Sequence, residues 1–142
     1  FLMAEEIMKA EPVATSIEMR PVVTCTSIDT TTFAGKAAMF NALNSAGSLA
    51  DHGASRLALK GLILQPYSEV DQKTGEVLEG YGVVFQTEDG DFYSRSAGIV
   101  RSAQNLIGAF GGVWPVDEEV VIEIFETQLD SKRTLKQFKL VL

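Results

Sequence analysis

Residues 96–112 constrain the fold more than any other segment. Val100, Ala103, Ile107 and Phe110 recur at spacings of three, four and three, the stripe of an amphipathic helix. Ser96 can cap its start, Gly111-Gly112 stops it, and Pro115 follows. The flanking segments alternate with a period of two, so this helix is set within a chain of strands.

Residues 17–28 place Ile17, Met19, Val23 and Cys25 two apart, a half-buried strand in which Pro21 marks an edge or bulge. Asp29-Thr30-Thr31-Thr32 is a helix-start signal. Phe33, Ala37 and Phe40, with Met39 and Leu43 beside them, then fit a short helix that Gly35 weakens. Residues 44–54, rich in Ser, Gly and Ala, read as loop. Residues 56–67 read as a strand with Leu57, Leu59 and Ile63 on one side and Leu62 and Leu64 on the other. Asp71 to Gly75 is turn chemistry. Residues 80–87 place Tyr81, Val83 and Phe85 on one face, and Glu88-Asp89-Gly90-Asp91 turns the chain into Phe92–Arg95. Beyond the helix, 119–127 is an apolar strand. Residues 133–142 form a last strand with Phe138, Leu140 and Leu142 on one face.

With the first helix set aside, the order is five strands with a helix between the third and fourth. The OB-fold has that order and binds oligonucleotides on its strand 2–3 face and adjoining loops. The expected fold is therefore mainly β: a single five-stranded OB-like barrel with a helix between strands 3 and 4 and a short helix after strand 1. Residues 1–16 show no clear period, contain Pro12 and read as an N-terminal arm; residues 17–142 are the domain. Phe1 and Leu2, ahead of Met3 as a start, read as a remnant.

Composition narrows the class. Hydrophobic residues make up 46% and charged residues 22%, a globular mix. No apolar run approaches the roughly 18 residues of a membrane span, and the N-terminal residues, with Glu5, Glu6, Lys9 and Glu11 among short apolar stretches, do not read as a signal peptide. The single cysteine, Cys25, allows no internal disulfide, as expected of a cytoplasmic protein. The net charge of −7 argues against a generic nucleic-acid binder, which would be basic. That charge is unevenly spread. Residues 117–126 hold Asp117, Glu118, Glu119, Glu123 and Glu126 with no base, whereas residues 128–142 hold Lys132, Arg133, Lys136 and Lys139 against Asp130. An acidic protein of this kind can still present one basic face.

From Lys36 to Leu142 the chain resembles the small single-stranded DNA-binding proteins of Gram-positive phages and plasmids. The resemblance is carried by Phe40-Asn41-Ala42, a strand ending Gln65-Pro66-Tyr67, and Asp71-x-x-Thr74-Gly75-Glu76. It continues through the hairpin Asp89-Gly90-x-Phe92-Tyr93-Ser94, a helix closing on Phe110-Gly111, and the basic C-terminal hairpin. A similar Phe-Asn-Ala and Tyr-Ser hairpin occur in the replication binding proteins of protein-primed Bacillus phages. The acidic, Phe-ending tail of the bacterial housekeeping proteins of this function is not matched, so recruitment of partners through such a tail is not expected.

Sequence-tolerant binding of single strands uses aromatic platforms and cations along a groove. The three tyrosines, Tyr67, Tyr81 and Tyr93, all fall in the strand 2–3 region, and the resemblance implies that they stack bases. A tyrosine on a strand equally serves as half-buried packing, most of all Tyr81, whose face carries Val83 and Phe85. Lys60 lies on the second strand, and Arg95 shares a face with Tyr93 by the period of two. Lys132 and Arg133 fall in the loop joining the last two strands, with Lys136 just beyond. Lys36 can pair with a phosphate; Asn41 reads as a residue bonded within the fold.

Enzymatic readings are thin. One histidine, His52, and one cysteine supply no zinc site and no Cys–His nucleophile, and no phosphate-binding Gly-rich loop is present. His52 reads as an ordinary loop residue, Cys25 as buried, and Trp114 as a core plug after the helix. Asp117-Glu118-Glu119 reads as solvated acid, and Gly80-Tyr81-Gly82 is too short to signify. No cofactor or metal is expected. The leading expectation is a non-enzymatic protein that coats and protects single-stranded DNA without base readout, alone or as a small homo-oligomer, with replication or recombination proteins as further partners. The competing expectation is an OB-like interaction or structural module of a mobile element that binds no nucleic acid.

Overall fold

The computed structural model describes residues 21–142; the N-terminal arm read at 1–16 and the strand positions Ile17 and Met19 lie outside them. The chain runs β1 (Val23–Thr26), α1 (Phe33–Ser45), β2 (Gly47–Ser48), α2 (Leu49–His52), β3 (Arg56–Val70) and β4 (Val77–Thr87). It continues through β5 (Gly90–Ser94), α3 (Ala97–Ala109), β6 (Val120–Gln128) and β7 (Thr134–Leu140). The strands form one mainly antiparallel sheet in the order β2-β5-β4-β3-β6-β7, with β1 added on β3. Seven strands replace the five expected. The lower number counted the 80–95 hairpin once and left Gly47–Ser48, which pairs in parallel with Phe92 and Tyr93, in a loop.

The fifteen-residue β3 is the spine of the sheet. It pairs with β4 from Leu59 to Val70, with β1 from Gly61 to Leu64 and with β6 from Arg56 to Leu59. The β3–β4 register shifts between Leu59 and Gly61, so Lys60 is an extra residue, a bulge that bends the strand and increases its twist. The bulge also resets the alternation. Leu57 and Leu59 before it and Leu62 and Leu64 after it all join the main core, while Ile63 turns to the opposite face. The sequence-derived pairing of Ile63 with Leu57 and Leu59 assumed an unbroken period and is corrected by this one residue.

The main core lies between the inner face of the sheet and α3. Ile99, Val100, Ala103, Leu106 and Ile107 of the helix meet Leu57, Leu62, Val83, Phe85 and Ile122. Phe85 and Phe138 meet edge to face with ring centroids 5.5 Å apart, and Trp114 plugs the end of α3 against Phe110. The start of α3 lies against β7: a Cβ on Gly98 would stand 2.1 Å from the Lys136 carbonyl oxygen. That close approach draws the far end of the strand path back towards β5, from which α3 departs. The last strand buries Phe138, but Leu140 is 38% exposed and Leu142 lies beyond β7, so only Phe138 of the expected three-residue apolar face is buried.

The outer face is partly covered by α1. Thr32 caps the helix by accepting the Gly35 N–H at 3.0 Å, the start signalled by the threonine run. Gly35, expected to weaken the helix, is required there because a Cβ would stand 1.7 Å from the Asp29 carbonyl oxygen. Ala42 is fully buried over Ile63 and Val84, with Met39 and Leu43 beside it. The helix is present as its spacing predicts, but Phe33 and Phe40, whose recurrence marked it, are 88% and 64% exposed.

Candidate nucleic-acid interface

One face of the β3–β4–β5 ribbon carries the chemistry. Beyond the bulge, Ile63, Gln65, Tyr67 and Glu69 point outward, opposite Val84, Gly82, Gly80 and Leu78 of β4. Tyr93 of β5 pairs with Val84 and so shares this face. Neither glycine carries a side chain, and the two tyrosines occupy the space. A Cβ on Gly80 would stand 2.9 Å from the Tyr67 hydroxyl oxygen, and one on Gly82 would stand 2.2 Å from that of Tyr93. Each ring lies across the backbone of the neighbouring strand, the arrangement in which an aromatic residue covers a strand glycine.

Arg95, just past β5, joins the two rings. Its Nε–H donates to the Tyr93 hydroxyl at 2.8 Å, and its guanidinium carbon lies 4.0 Å from the centre of the Tyr67 ring. The Glu69 carboxylate accepts from the guanidinium on the other side. The Tyr93 hydrogen bond, ahead of Glu69, holds the Arg95 pKa above its ordinary value. Leu43, Asn44 and Ala46 at the end of α1 close the remaining side, giving an open pocket of about 270 Å³ with Gln65, Pro66, Tyr67, Tyr93 and Arg95. Tyr67 and Tyr93 are half-buried, and Arg95 is exposed.

The structure therefore brings together Tyr67, Tyr93 and Arg95. It places Tyr81 elsewhere. Tyr81 pairs with Pro66, points to the opposite face and packs against the main core, where its hydroxyl donates to the Pro21 carbonyl at 3.3 Å. Lys136 is exposed on β7, in register with Glu126, and borders a shallow pocket with Ser94 and Ser96, the neighbours of Arg95. Lys132 and Arg133 sit in the exposed β6–β7 turn. Asp130 holds that turn by accepting both backbone N–H groups and the Arg133 side chain at 2.8 Å. Those bonds, the Lys132 N–H first, keep the Asp130 carboxyl below its ordinary range. Lys60, at the bulge, lies near Asp91 at the other end of the outer face, beside a shallow pocket that Asn41 also lines. Lys36 is exposed on α1 and borders a cleft of about 930 Å³ with Trp114 and Asp117.

Three smaller readings change. Asn41 is exposed and makes no side-chain hydrogen bond among the described residues, so it is not the internal bonding group expected. His52 is no ordinary loop residue: it ends α2 with its ring 4.1 Å from that of Phe92, and its Nε2 is buried 4.0 Å from Asp89. The Gly80-x-Gly82 spacing, set aside as too short to signify, is what seats both tyrosines: Gly80 stands opposite Tyr67, and Gly82 is two residues from Val84, the partner of Tyr93. Gln65, Glu69 and Asn44 were not singled out, since amides and acids on strands and helix ends are common on any surface. Cys25 and Trp114 are buried as expected, and burial raises the Cys25 thiol pKa.

Among the described residues no group of three or more His, Cys, Asp or Glu side chains is arranged to hold a metal ion, and no helix is long and apolar enough to cross a membrane. Comparison with curated proteins and with solved structures returns no match. Comparison with family models returns the phi29-type Phage Single-stranded DNA-binding protein family, matched over residues 18–142. The match takes in every described strand and helix and the whole tyrosine–arginine face, and on it the chain belongs to the phage single-stranded DNA-binding protein family.

Proposed function

We propose that this chain binds single-stranded DNA without reading base identity, coating and protecting exposed strands during phage replication or recombination. The observation that carries this reading is the outward-facing cluster of Tyr67, Tyr93 and Arg95, held over Gly80 and Gly82. Bases of any identity present a π-face, and each one stacked on an aromatic ring contributes about 1–3 kcal/mol. Arg95 supplies both a cation for a phosphate and a planar surface for a base. The architecture supports the same reading. β3, β4 and β5, then α3, then β6 and β7 follow the order of an OB-fold, with β1 added to the first of these strands. The tyrosines then lie on its first three strands.

The acidic balance is compatible with this role because stacking is electrically neutral. Among the described residues few cations adjoin the tyrosines, so affinity depends weakly on salt, with a slope of about 0.7 per phosphate contact on single strands. The function is carried by binding alone, with no catalytic step and no cofactor. The test is a titration with fluorescent oligo-dT at low and moderate salt beside a duplex of equal length. Saturable binding of the single strand only, weakened by Tyr93→Ala, supports the proposal. No binding at low salt overturns it and leaves an interaction module of a mobile element as the working function.

A further inference from the structure

The outward side of α1 is aromatic where a solvated helix should be polar. Phe33 and Phe40 are 88% and 64% exposed. On a helix of 3.6 residues per turn, Phe33, Ala37, Phe40 and Asn44 fall in one stripe, opposite the fully buried Ala42 that seats the helix on the sheet. Among the described residues neither ring joins a core cluster: Ala42, Met39 and Leu43 make the contacts with the sheet. Exposed phenylalanines lack the hydroxyl that makes tyrosine tolerable in water, so two in one stripe ask for an occupant.

Three observations choose that occupant. The helix holds one lysine, Lys36, and no acid, although the protein carries a net charge of −7. Lys36 is exposed and lies one turn from both Phe33 and Phe40, so a cation flanks the aromatic stripe. The stripe also runs into the site already described: its last member, Asn44, lines the pocket of Tyr67, Tyr93 and Arg95. Aromatic rings alternating with a cation, continuous with a pocket for bases, match the chemistry of a single nucleic-acid strand.

We infer that single-stranded DNA leaving the tyrosine pocket continues along the outer face of α1, with Phe40 and Phe33 as further base platforms and Lys36 as a phosphate contact. This rests on the single-strand-binding reading and extends it to a second subsite. At about 1.5 Å per residue, Phe40 and Phe33 are roughly 10 Å apart along the helix axis. That is several stacking steps of about 3.4 Å, so the two rings hold different, non-adjacent bases.

The experiment uses a ladder of oligo-dT from about 4 to about 16 nucleotides, the range of site sizes for one such barrel. The full chain is compared with Phe33→Ala, Phe40→Ala, their double variant, Lys36→Ala and Tyr93→Ala. Alanine favours helix more than phenylalanine does, so the phenylalanine variants keep their melting temperature. Wild-type affinity is expected to rise with length until the stripe is covered. The double variant stops rising at a shorter length and loses about fivefold or more on the longest oligomer, while matching wild type on the shortest that binds. Lys36→Ala lowers the salt slope by about 0.7 on long oligomers only. If Tyr93→Ala weakens binding but the double variant follows wild type at every length, the inference is overturned and the pocket reading stands. A lighter sedimenting species in that case assigns the stripe to a second copy of the chain. If wild type binds no oligomer, both fail together.

Discussion

Tyr93 lies across Gly82 so closely that a Cβ on the glycine would stand 2.2 Å from the tyrosine hydroxyl oxygen and 2.5 Å from the adjoining ring carbon. Gly82→Ala must therefore push the ring off its seat. The expected cost is about 1–3 kcal/mol of stability, the range for overpacking, together with weaker oligo-dT binding. In a Tyr93→Ala background the same substitution should be nearly neutral, because the clash has gone. Urea melts of the four proteins give the coupling; additive costs would show that the ring does not depend on the glycine.

Tyr67→Ala and Tyr93→Ala should each weaken oligo-dT binding by about 1–3 kcal/mol, whereas Tyr81→Ala should lower stability and leave binding almost unchanged. The division follows from the faces: Tyr81 packs on the main core, away from the other two. Tyr67→Phe should bind nearly as well as wild type, since the ring is the platform. Titrations paired with thermal melts separate the two classes.

Glu69 pairs with Arg95, the cation that lies over the Tyr67 ring. A phosphate reaching Arg95 displaces that carboxylate. Glu69→Gln should therefore tighten oligo-dT binding by about two- to fivefold, the worth of an exposed ion pair, and steepen the salt dependence. Glu118→Gln removes the same charge from an exposed site outside the interface and serves as the control. Equal effects from both would reduce the result to net charge.

Gly61→Ala should be among the most damaging small substitutions. Its Cβ would stand 2.4 Å from both Gln86 Oε1 and Thr26 Oγ1, which share a partly buried hydrogen bond of 2.8 Å. Breaking a partly buried hydrogen bond and overfilling the site together cost about 1–4 kcal/mol. The denaturation midpoint should fall with the slope unchanged.

Burial raises the Asp91 carboxyl pKa, an effect only partly offset by Lys60. An acid whose folded pKa is raised binds its proton more readily when folded. Stability is then lost as pH rises from the ordinary carboxylate range through the raised value. Asp91→Asn should accordingly raise the melting temperature at neutral pH, and the gain should vanish at a pH low enough to protonate Asp91 in both states. A loss of stability at neutral pH would mean that the attraction of Lys60 dominates.

Much of this was legible in the residues. The β4–β5 hairpin follows from Glu88-Asp89-Gly90 between alternating strands, and α3 from the spacing of Val100, Ala103 and Ile107. The shared face of Tyr93 and Arg95 follows from the period of two, as does the place of Tyr81 beside Val83 and Phe85, although the sequence grouped Tyr81 with the other two tyrosines as a base platform. What escaped was set by long-range geometry. No local pattern announces that Lys60 is an extra residue, yet it decides on which face Ile63, Tyr67 and Glu69 stand. The buried side of α1 was equally hidden, because larger side chains outweigh Ala42 in any apolar pattern, although Ala42 makes the contact with the sheet. The β2 strand has two residues and is made by its partner β5 rather than by its own sequence.

The position of β3 as a strand shared by three partners has a kinetic meaning. Its backbone is bonded to β4 along one edge and to β1 and β6 in succession along the other. Opening any of these ladders far enough to reach solvent exposes part of the same strand. The amides around Leu57–Leu64 should thus exchange with solvent only when the whole domain unfolds, while the β6–β7 turn and the end of α1 exchange through local fluctuations. The strand that presents Tyr67 is therefore anchored in the slowest-opening unit of the molecule, so the platform keeps its place while the chain around it breathes.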